Sequence, residues 1–569
     1  VHIFGISLCE QKKETFMKKL WWISLLVVVL GGAFLRLYKI DSNPPALNWD
    51  EVSHGYNAFS ILRTGADEWG QTFPVTNFRA YGDYPLPLNL YITIPFISLF
   101  GLNEIGIRIP HALLGVGTII ATYFLTLGLT KRKGMSTVAA FLVAIHPWYL
   151  FTSRFVLQSN VSIFFLVTAM ALFINRARSK WFVPASLFCL GLTLFSYHTT
   201  RIFSPLLLVV LVMLYWKEFR RKLNIFIIVI FFVPLPFILL NPDARARSQE
   251  VFIVNPGVVS EIEELRNQST LPPLASKLLY NRPVYVLKKA SLHYIDYMSP
   301  HYLFLNGGTQ YQFSVPNQGL LYVISLPFLY LGLYIVGKRA LISRDKAYQL
   351  IFAWFLLAPI PAAITTERFA VLRSTSLLPL PEILVALGLF SFFTYIRANL
   401  RVQQFMVLVF IVINIFLLGQ YLNQYFGQYR EDYSWTWQYG YKEIVQYAEE
   451  NKGMYDRIIV TKKYGEPHEF VLFYSGLDPR SYQSDSNLMR YTQSNWWWVD
   501  TFGQYVFVND WEIPKEGHVF ITESEKQVDC GPLRCLLITS PGNAPRDWQK
   551  VKTVQFLDSS PAFELYEHK

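Results

Sequence analysis

Cysteine is scarce in this chain: four residues in 569, at positions 9, 189, 530 and 535. No zinc or iron–sulfur spacing can be built from them. Cys189 sits inside an apolar run and reads as a small core residue. Cys530 and Cys535 lie in the C-terminal tail and can pair if that tail is outside the cytoplasm. A glycine-rich nucleotide-binding loop is also missing, which argues against a nucleotide-activated donor taken from the cytoplasm. There is no internal repeat and no low-complexity tract, so the paired halves common in transporters are not evident. Charged residues make up only 16% of the chain. Their sum is +11, but the basic residues fall in small clusters between apolar runs, a loop pattern that excludes nucleic acid as the partner.

What the chain has instead is apolar surface: 52% hydrophobic and 17% aromatic residues. Runs of roughly 17–25 apolar residues are what a bilayer requires. They occur at 20–37, 109–130, 135–152, 158–175, 181–197, 202–216, 224–240, 319–337, 349–364, 375–396 and 402–420. These predict an all-α polytopic membrane bundle of about 11 spans. Lys18 and Lys19, Lys131–Lys133, Arg176–Lys180, Lys217–Lys222, Lys338–Lys346, Arg397 and Arg401 then share one side, offset only by Glu218 and Asp345. By the positive-inside rule that side is the cytoplasm. The N-terminus is therefore cytoplasmic, in a multi-pass protein of the plasma (inner) membrane, and 38–108, 241–318 and the tail from 421 lie outside. Residues 86–101 are apolar enough to enter lipid, but a full span there would invert every later loop, so they read as an interfacial or re-entrant helix.

Three domains result: 1–19 an N-terminal extension, 20–420 the transmembrane domain, and 421–569 a small extracytoplasmic α/β domain. Val1–Phe16 looks poorly connected to the rest of the chain, and Met17-Lys18-Lys19 is an ordinary start for a bacterial membrane protein. The segment 241–318, with Asp243, Arg245, Arg247 and the acidic run Glu261–Glu264, is too long for a passive connector and reads as a lid or acceptor platform. In the tail, Tyr441–Glu450 reads as an amphipathic helix. Arg457–Thr461, Phe470–Tyr474, His518–Thr522 and Leu536–Thr539 read as short buried strands. Trp496-Trp497-Trp498 cannot all be core in one strand, and stacking on sugar or docking on lipid account for them equally well.

Asn48-Trp49-Asp50-Glu51 follows the first apolar helix, at a boundary that is wet on one side and greasy on the other. Partial desolvation and a neighbouring acid both raise a carboxylate's basicity, so Asp50 is a candidate general base and Glu51 a residue that orients or tunes it. Two solvated acids in a polar loop are the plainer reading. The outer helix ends tip the balance: they collect His54, Asp83, Arg108, Arg154, His198, Arg201 and Arg368. Singly, each Arg or His is explained by snorkelling to the interface. Together they put cations on the side that the charge bias leaves poor in them, where a lipid phosphate would sit, and Arg pairs bidentately with phosphate oxygens. A carboxylate base beside phosphate-binding cations points to transfer of a sugar from a lipid phosphate, with inversion. Arg154, Arg201 and Arg368 are assigned to the phosphate; Arg108 and His198 stand behind them.

Trp49-Asp50-Glu51 after the first span, Gly82-Asp83-Tyr84-Pro85-Leu86-Pro87-Leu88, Arg108-Ile109-Pro110 and Ser153-Arg154 resemble family 39 of the glycosyltransferases, enzymes of the GT-C fold that include protein O-mannosyltransferases and aminoarabinose transferases. The resemblance covers about 20–240, with a looser match at Thr366-Glu367-Arg368. It implies an inverting hexosyltransferase, mannose included, using a polyprenyl-phosphate-linked donor, with Asp50 acting at the acceptor. It further implies that Asp83, with His54, supports the acceptor or a metal. Two departures matter. Gln158-Ser159-Asn160 stands where some relatives carry an acid, and the tail has no β-trefoil signature, which weakens a protein acceptor against a lipid or glycan one. No cofactor is assigned; a divalent cation, magnesium or manganese, is compatible with Asp50, Asp83 and the donor phosphate, though no ligand spacing demands it. The competing readings are a transporter or flippase of lipid-linked saccharides and a sensory protein whose working part is the tail.

Overall fold

A computed structural model describes residues 21–82, 84–240, 251–254, 257–493 and 496–568. The readings made on Val1–Phe16, Lys18, Lys19, Asp83, Asp243, Arg245 and Arg247 fall outside these residues. Among the described residues, six helices are long and apolar enough to cross a membrane: Glu104–Thr130, His198–Phe219, Val323–Leu341, Lys346–Ala363, Thr375–Tyr395 and Leu400–Asp432. Shorter apolar helices occupy Trp21–Leu37, Leu88–Phe100, Lys133–Ile145, Gln158–Ile174, Phe182–Phe195 and Lys222–Phe237. The chain is a multi-pass integral membrane protein, a helical bundle followed by an α/β sheet domain. Leu88–Phe100 has 13 residues, about 20 Å of helix, short of the roughly 30 Å of hydrocarbon in a bilayer.

Contacts divide the chain into two compact units: Val1–Tyr38, Ala112–Ser153 and Ser159–Tyr421, and Lys39–His111, Arg154–Gln158 and Leu422–Lys569.

In the first unit, the run expected as one span over 135–152 is broken. Lys133–Ile145 ends at His146 (φ −62°, ψ 138°), and a new helix, Pro147–Thr152, starts on the proline. A residue before proline is driven out of the α region, and the proline has no N–H to continue the ladder. The carbonyls freed by the break belong to buried residues, Val143 and Ala144, and need partners inside the protein. Buried Arg36 serves them, donating to Val143 O at 3.1 Å and Ala144 O at 3.0 Å. His146 itself faces Glu382 at 3.2 Å. Leu326–Leu341 and Leu380–Tyr395 approach backbone to backbone: a Cβ on Gly332 would lie 1.9 Å from Leu384 O, and one on Gly388 1.9 Å from Phe328 O. Small residues at such crossings let membrane helices gain dispersion contact without a hydrophobic drive between them.

In the second unit, nine strands are found among the described residues: β1 (Arg457–Thr461), β2 (Met489–Gln493), β3 (Trp496–Phe502), β4 (Tyr505–Val508), β5 (Val519–Ile521), β6 (Gln527–Asp529), β7 (Cys535–Thr539), β8 (Gln549–Gln555) and β9 (Pro561–His568). Seven form one sheet in the order β2-β3-β4-β1-β7-β9-β8, and β5 pairs with β6. Only β1 runs parallel to its neighbours, β4 and β7. Ile458 and Val460 of β1, with Leu536 and Ile538 of β7, enter one core, while Ile459, Cys535 and Leu537 enter the other. Burial on both faces explains why these strands are continuous apolar runs rather than alternating ones. Cys530 and Cys535 are bridged.

Tyr441–Glu450 is a helix, and β1, β5 and β7 occupy three of the four stretches expected as strands. Phe470–Tyr474 is the exception and lies in a helix, Pro467–Ser475. A short apolar run does not distinguish the two states; the deciding signals are Pro467 at the first turn and Gly476 at the end, φ +61°. The helix buries Phe470 against Tyr441, rings stacked at 4.0 Å.

We expect Gly388→Val to force its two helices apart at a cost of about 1–3 kcal/mol. The checks are melting temperature and monodispersity after extraction; a variant with unchanged melting would refute the close crossing.

Candidate functional site

The stretch around Asp50 is built by a helix start. Trp49–Thr64 opens with a capping box: Asn48 Oδ1 accepts from Glu51 N–H at 3.0 Å, and Glu51 Oε2 accepts from Asn48 N–H at 3.4 Å. Acids in a first turn also meet the positive end of the helix dipole. Two adjacent carboxylates therefore have a local reason to be here, before any chemistry.

Their fates differ. Glu51 and Arg108 are fully buried. Arg108 Nε donates to Glu51 Oε1 and Nη2 to Oε2, each at 2.8 Å. Its remaining donors reach Ile40 O and Pro44 O at 3.0 Å and Ala46 O at 2.6 Å. Glu51 Oε1 also accepts from Val156 N–H at 3.1 Å. This one pair ties the 40–46 turn, the Trp49 helix and residue 156 together. Arg154 works on the same turn. It is buried, donates to Asn43 O at 2.9 Å and to the Tyr425 hydroxyl at 3.3 Å, and lies over the Phe426 ring.

Asp50 is half-buried. Its carboxylate accepts from the Tyr81 hydroxyl. Burial and the Asp50 charge hold the Tyr81 phenol well above its ordinary pKa, so it stays a donor. The Tyr81 ring stacks on Trp496 at 5.4 Å and 11°. Trp497 N–H donates to Tyr81 O at 2.8 Å. Trp49 meets Tyr81 edge-on at 6.5 Å, and a Cβ on Gly465 (φ +87°) would lie 2.4 Å from its indole, so only glycine allows that packing. His54, one turn on, is buried; its Nδ1 lies 3.2 Å from Asp50 O, and burial lowers its pKa to about 4, leaving a neutral ring at pH 7.

A group of acids unforeseen from sequence lies in the same unit: Glu68, Glu466 and Glu469. Burial raises all three, Glu68 to about 7, and the Glu68 charge pushes Glu469 further up. His468 beside them is driven down to about 3 by burial. The Tyr81 phenol feels Glu466 and Glu469 as well as Asp50. Little in the sequence marks these acids; Glu466-Pro467 reads as a turn, and their partners are remote in the chain.

The structure thus brings Asp50, Glu51, His54, Arg108 and Arg154 into the second unit. The other assigned residues lie in the first. His198 opens the His198–Phe219 helix, half-buried, and Arg201 donates to Leu194 O at 3.0 Å. Arg368 is exposed and pairs with Asp296, Nη2 to Oδ1 at 2.9 Å. Asp83 falls outside the described residues. Among the described residues no group of three or more His, Cys, Asp or Glu can hold a metal ion.

Residues 26–242 match the family model of dolichyl-phosphate-mannose-protein mannosyltransferases. The matched segment covers well under half of the chain. The family segment includes Asp50, Glu51, Arg108, Arg154 and Arg201. An uncharacterized protein of Aquifex aeolicus (strain VF5) is 28% identical over 147 residues, covering 26% of this chain and 28% of its own length. YkcB of Bacillus subtilis (strain 168), provisionally named a mannosyltransferase, is 27% identical over 168 residues, covering 29% and 22%. The chain thus spans about a quarter of the length of these relatives. Among solved structures, apo ArnT from Cupriavidus metallidurans aligns over 98% of both chains at 11% identity and TM-score 0.47. The Archaeoglobus fulgidus oligosaccharyltransferase aligns over 79% of this chain and 61% of its own at 16% identity and TM-score 0.48.

Two outcomes are expected. Arg108→Ala leaves Glu51 charged and buried, costing about 3–5 kcal/mol, whereas Glu51→Met with Arg108→Met recovers part of the loss; melting temperatures of the three proteins decide it. Raised carboxyls bind more protons folded than unfolded, so their contribution to stability falls as pH rises; the lowered histidines act oppositely, but only below about pH 6.5. Stability should therefore drop from pH 6.5 to 8.5, by up to about 1.4 kcal/mol per pH unit for each carboxyl that titrates there, and be read as a falling melting temperature. Glu469→Gln should flatten that slope, and an unchanged slope would contradict the assignment.

Proposed function

We propose that the chain is a membrane glycosyltransferase that moves a sugar, a hexose such as mannose, from a polyprenyl-phosphate-linked donor to an acceptor hydroxyl outside the cytoplasm. One observation carries the reading: of the two adjacent acids, Glu51 is sealed against Arg108, while Asp50 is half-buried and accepts from a neutral phenol. A carboxylate oriented by a neutral donor at the solvent edge can take up a proton, as a general base requires. Asp50 takes the acceptor's hydroxyl proton as that oxygen bonds to the anomeric carbon. The bond from that carbon to the phosphate oxygen breaks with its electron pair, leaving polyprenyl phosphate. Attack opposite the leaving group inverts the centre.

Glu51 and Arg108 position Asp50, and Arg154 fixes the turn that precedes it. From their sequence positions, the developing phosphate charge is assigned to Arg201 and Arg368, whose guanidinium groups can pair with phosphate oxygens. The match of residues 26–242 to the model of dolichyl-phosphate-mannose-protein mannosyltransferases supports a lipid-phosphate donor. The outer location of Asp50 and of the sheet domain, with a cytoplasmic N-terminus in the plasma membrane, follows from the charge bias of the loops.

With purified protein, polyprenyl-phosphate hexoses and a panel of acceptors, Asp50→Asn should lower release of polyprenyl phosphate by about 10²–10⁴-fold at unchanged melting temperature. Tyr81→Phe should lower kcat while leaving KM for the donor in place. An active Asp50→Asn protein ends the assignment.

A further inference from the structure

The second unit carries a cleft of about 420 Å³ that the transfer chemistry leaves unused. Its wall includes Trp498 and Tyr491 from the sheet, Trp511 from the loop after β4, and the polar side chains of Lys462, Asp510 and Asn543. Trp511 is 80% exposed, a large apolar face left bare in a domain that buries most of its other rings. The polar groups are braced before any ligand arrives. Asp510 accepts from Thr461 Oγ1 and Ser540 Oγ at 2.9 Å each, and its backbone carbonyl accepts from Asn543 Nδ2 at 2.6 Å. Lys462 Nζ donates to the Tyr491 hydroxyl at 3.0 Å and to Asp500.

The cleft's two lysines do not make it an anion site. Lys462 is paired with Asp500, and Lys463 faces Asp510 at 3.7 Å. What remains is an aromatic floor rimmed by groups that donate and accept, which suits a neutral ligand with an apolar face and a hydroxyl edge. A pyranose has that shape, and the volume takes a short oligosaccharide. The floor also leads somewhere. Trp498 and Trp496 point to one face of β3, ring centroids 6.3 Å apart. Trp496 stacks on Tyr81, whose hydroxyl meets Asp50.

We propose that this cleft binds a saccharide, and that the acceptor of the transfer is a glycan lying along Trp511, Trp498 and Trp496 with its end hydroxyl toward Asp50. The second half of that statement rests on Asp50 being the base; the first does not.

The test is made on the full chain in nanodiscs, because alkyl-glycoside detergents would compete. Cellotetraose, chitotetraose and mannotetraose are titrated to about 10 mM, the weak end for a specific pocket, with tryptophan fluorescence and ligand NMR saturation transfer as readouts. At least one should bind, and Trp511→Ala should weaken it roughly tenfold or more, while Trp181→Ala, an exposed tryptophan of the other unit, should not. Binding by none of the three, or binding that survives Trp511→Ala, overturns the cleft. A saccharide that binds through Trp511 but never accepts sugar, while peptides or lipids do, overturns its role as acceptor and keeps the transferase reading. Saccharide binding with no polyprenyl phosphate released from any donor overturns the transferase reading alone.

Discussion

A fully buried carboxylate–guanidinium pair is the constraint on which the second unit depends. Removing Glu51 and Arg108 from water costs several kcal/mol for each ion, and their attraction offsets this only when the geometry is good and the leftover donors are met. Here they are met: Arg108 spends its donors on Glu51 and on three carbonyls of the 40–46 turn. A polar contact this complete has one low-energy arrangement, so it acts as a register pin. It specifies where the Trp49 helix begins, and through that where Asp50 points.

The sheet domain is not an appendage in this picture. Residues 39–111 and 422–569 share a core, with Val52, Tyr56 and Leu90 packed among Phe470, Phe473, Tyr505 and Leu536. Gln438 accepts from Trp49 N–H at 2.9 Å, and Gly465 makes room for the Trp49 ring. The turn around Glu466 therefore forms part of the wall behind the candidate base. Its buried acids give that wall a charge that changes with pH, which a hydrophobic wall would not.

Much of this was legible in order but not in space. Apolar run length marks the membrane helices, because the bilayer sets a length that composition must meet. It failed at His146, where a single proline outweighs the hydropathy of its neighbours. Two-sided burial made β1 and β7 readable, and the same property made Phe470–Tyr474 ambiguous, since an apolar run carries no period. Asp50, Glu51, Arg108 and Arg154 were readable as a group because they sit at helix ends on one predicted side. Tyr81, Glu68, Glu466, Glu469 and Trp496 were not. Each matters through a partner far along the chain, and a residue's type does not name a remote neighbour. Tyr81 came nearest, one position before the Gly82-Asp83 motif.

The transporter reading would have to use the break at His146, since interrupted helices are where transporters hold their cargo. There the unwound backbone is already engaged: Val143 O and Ala144 O accept from Arg36, and His146 lies 3.2 Å from Glu382 and 3.4 Å from Ser325 Oγ. Carbonyls that serve a buried arginine cannot also coordinate a passing ligand without stripping that arginine of acceptors each time. The break is better explained as a joint that lets the chain change direction inside the bundle. Around Asp50 the balance is reversed: one acid is consumed by structure so that its neighbour can be held by a neutral donor at the solvent edge. Under the proposed transferase reading, that difference between two adjacent carboxylates leaves Asp50 as the one able to take up a proton.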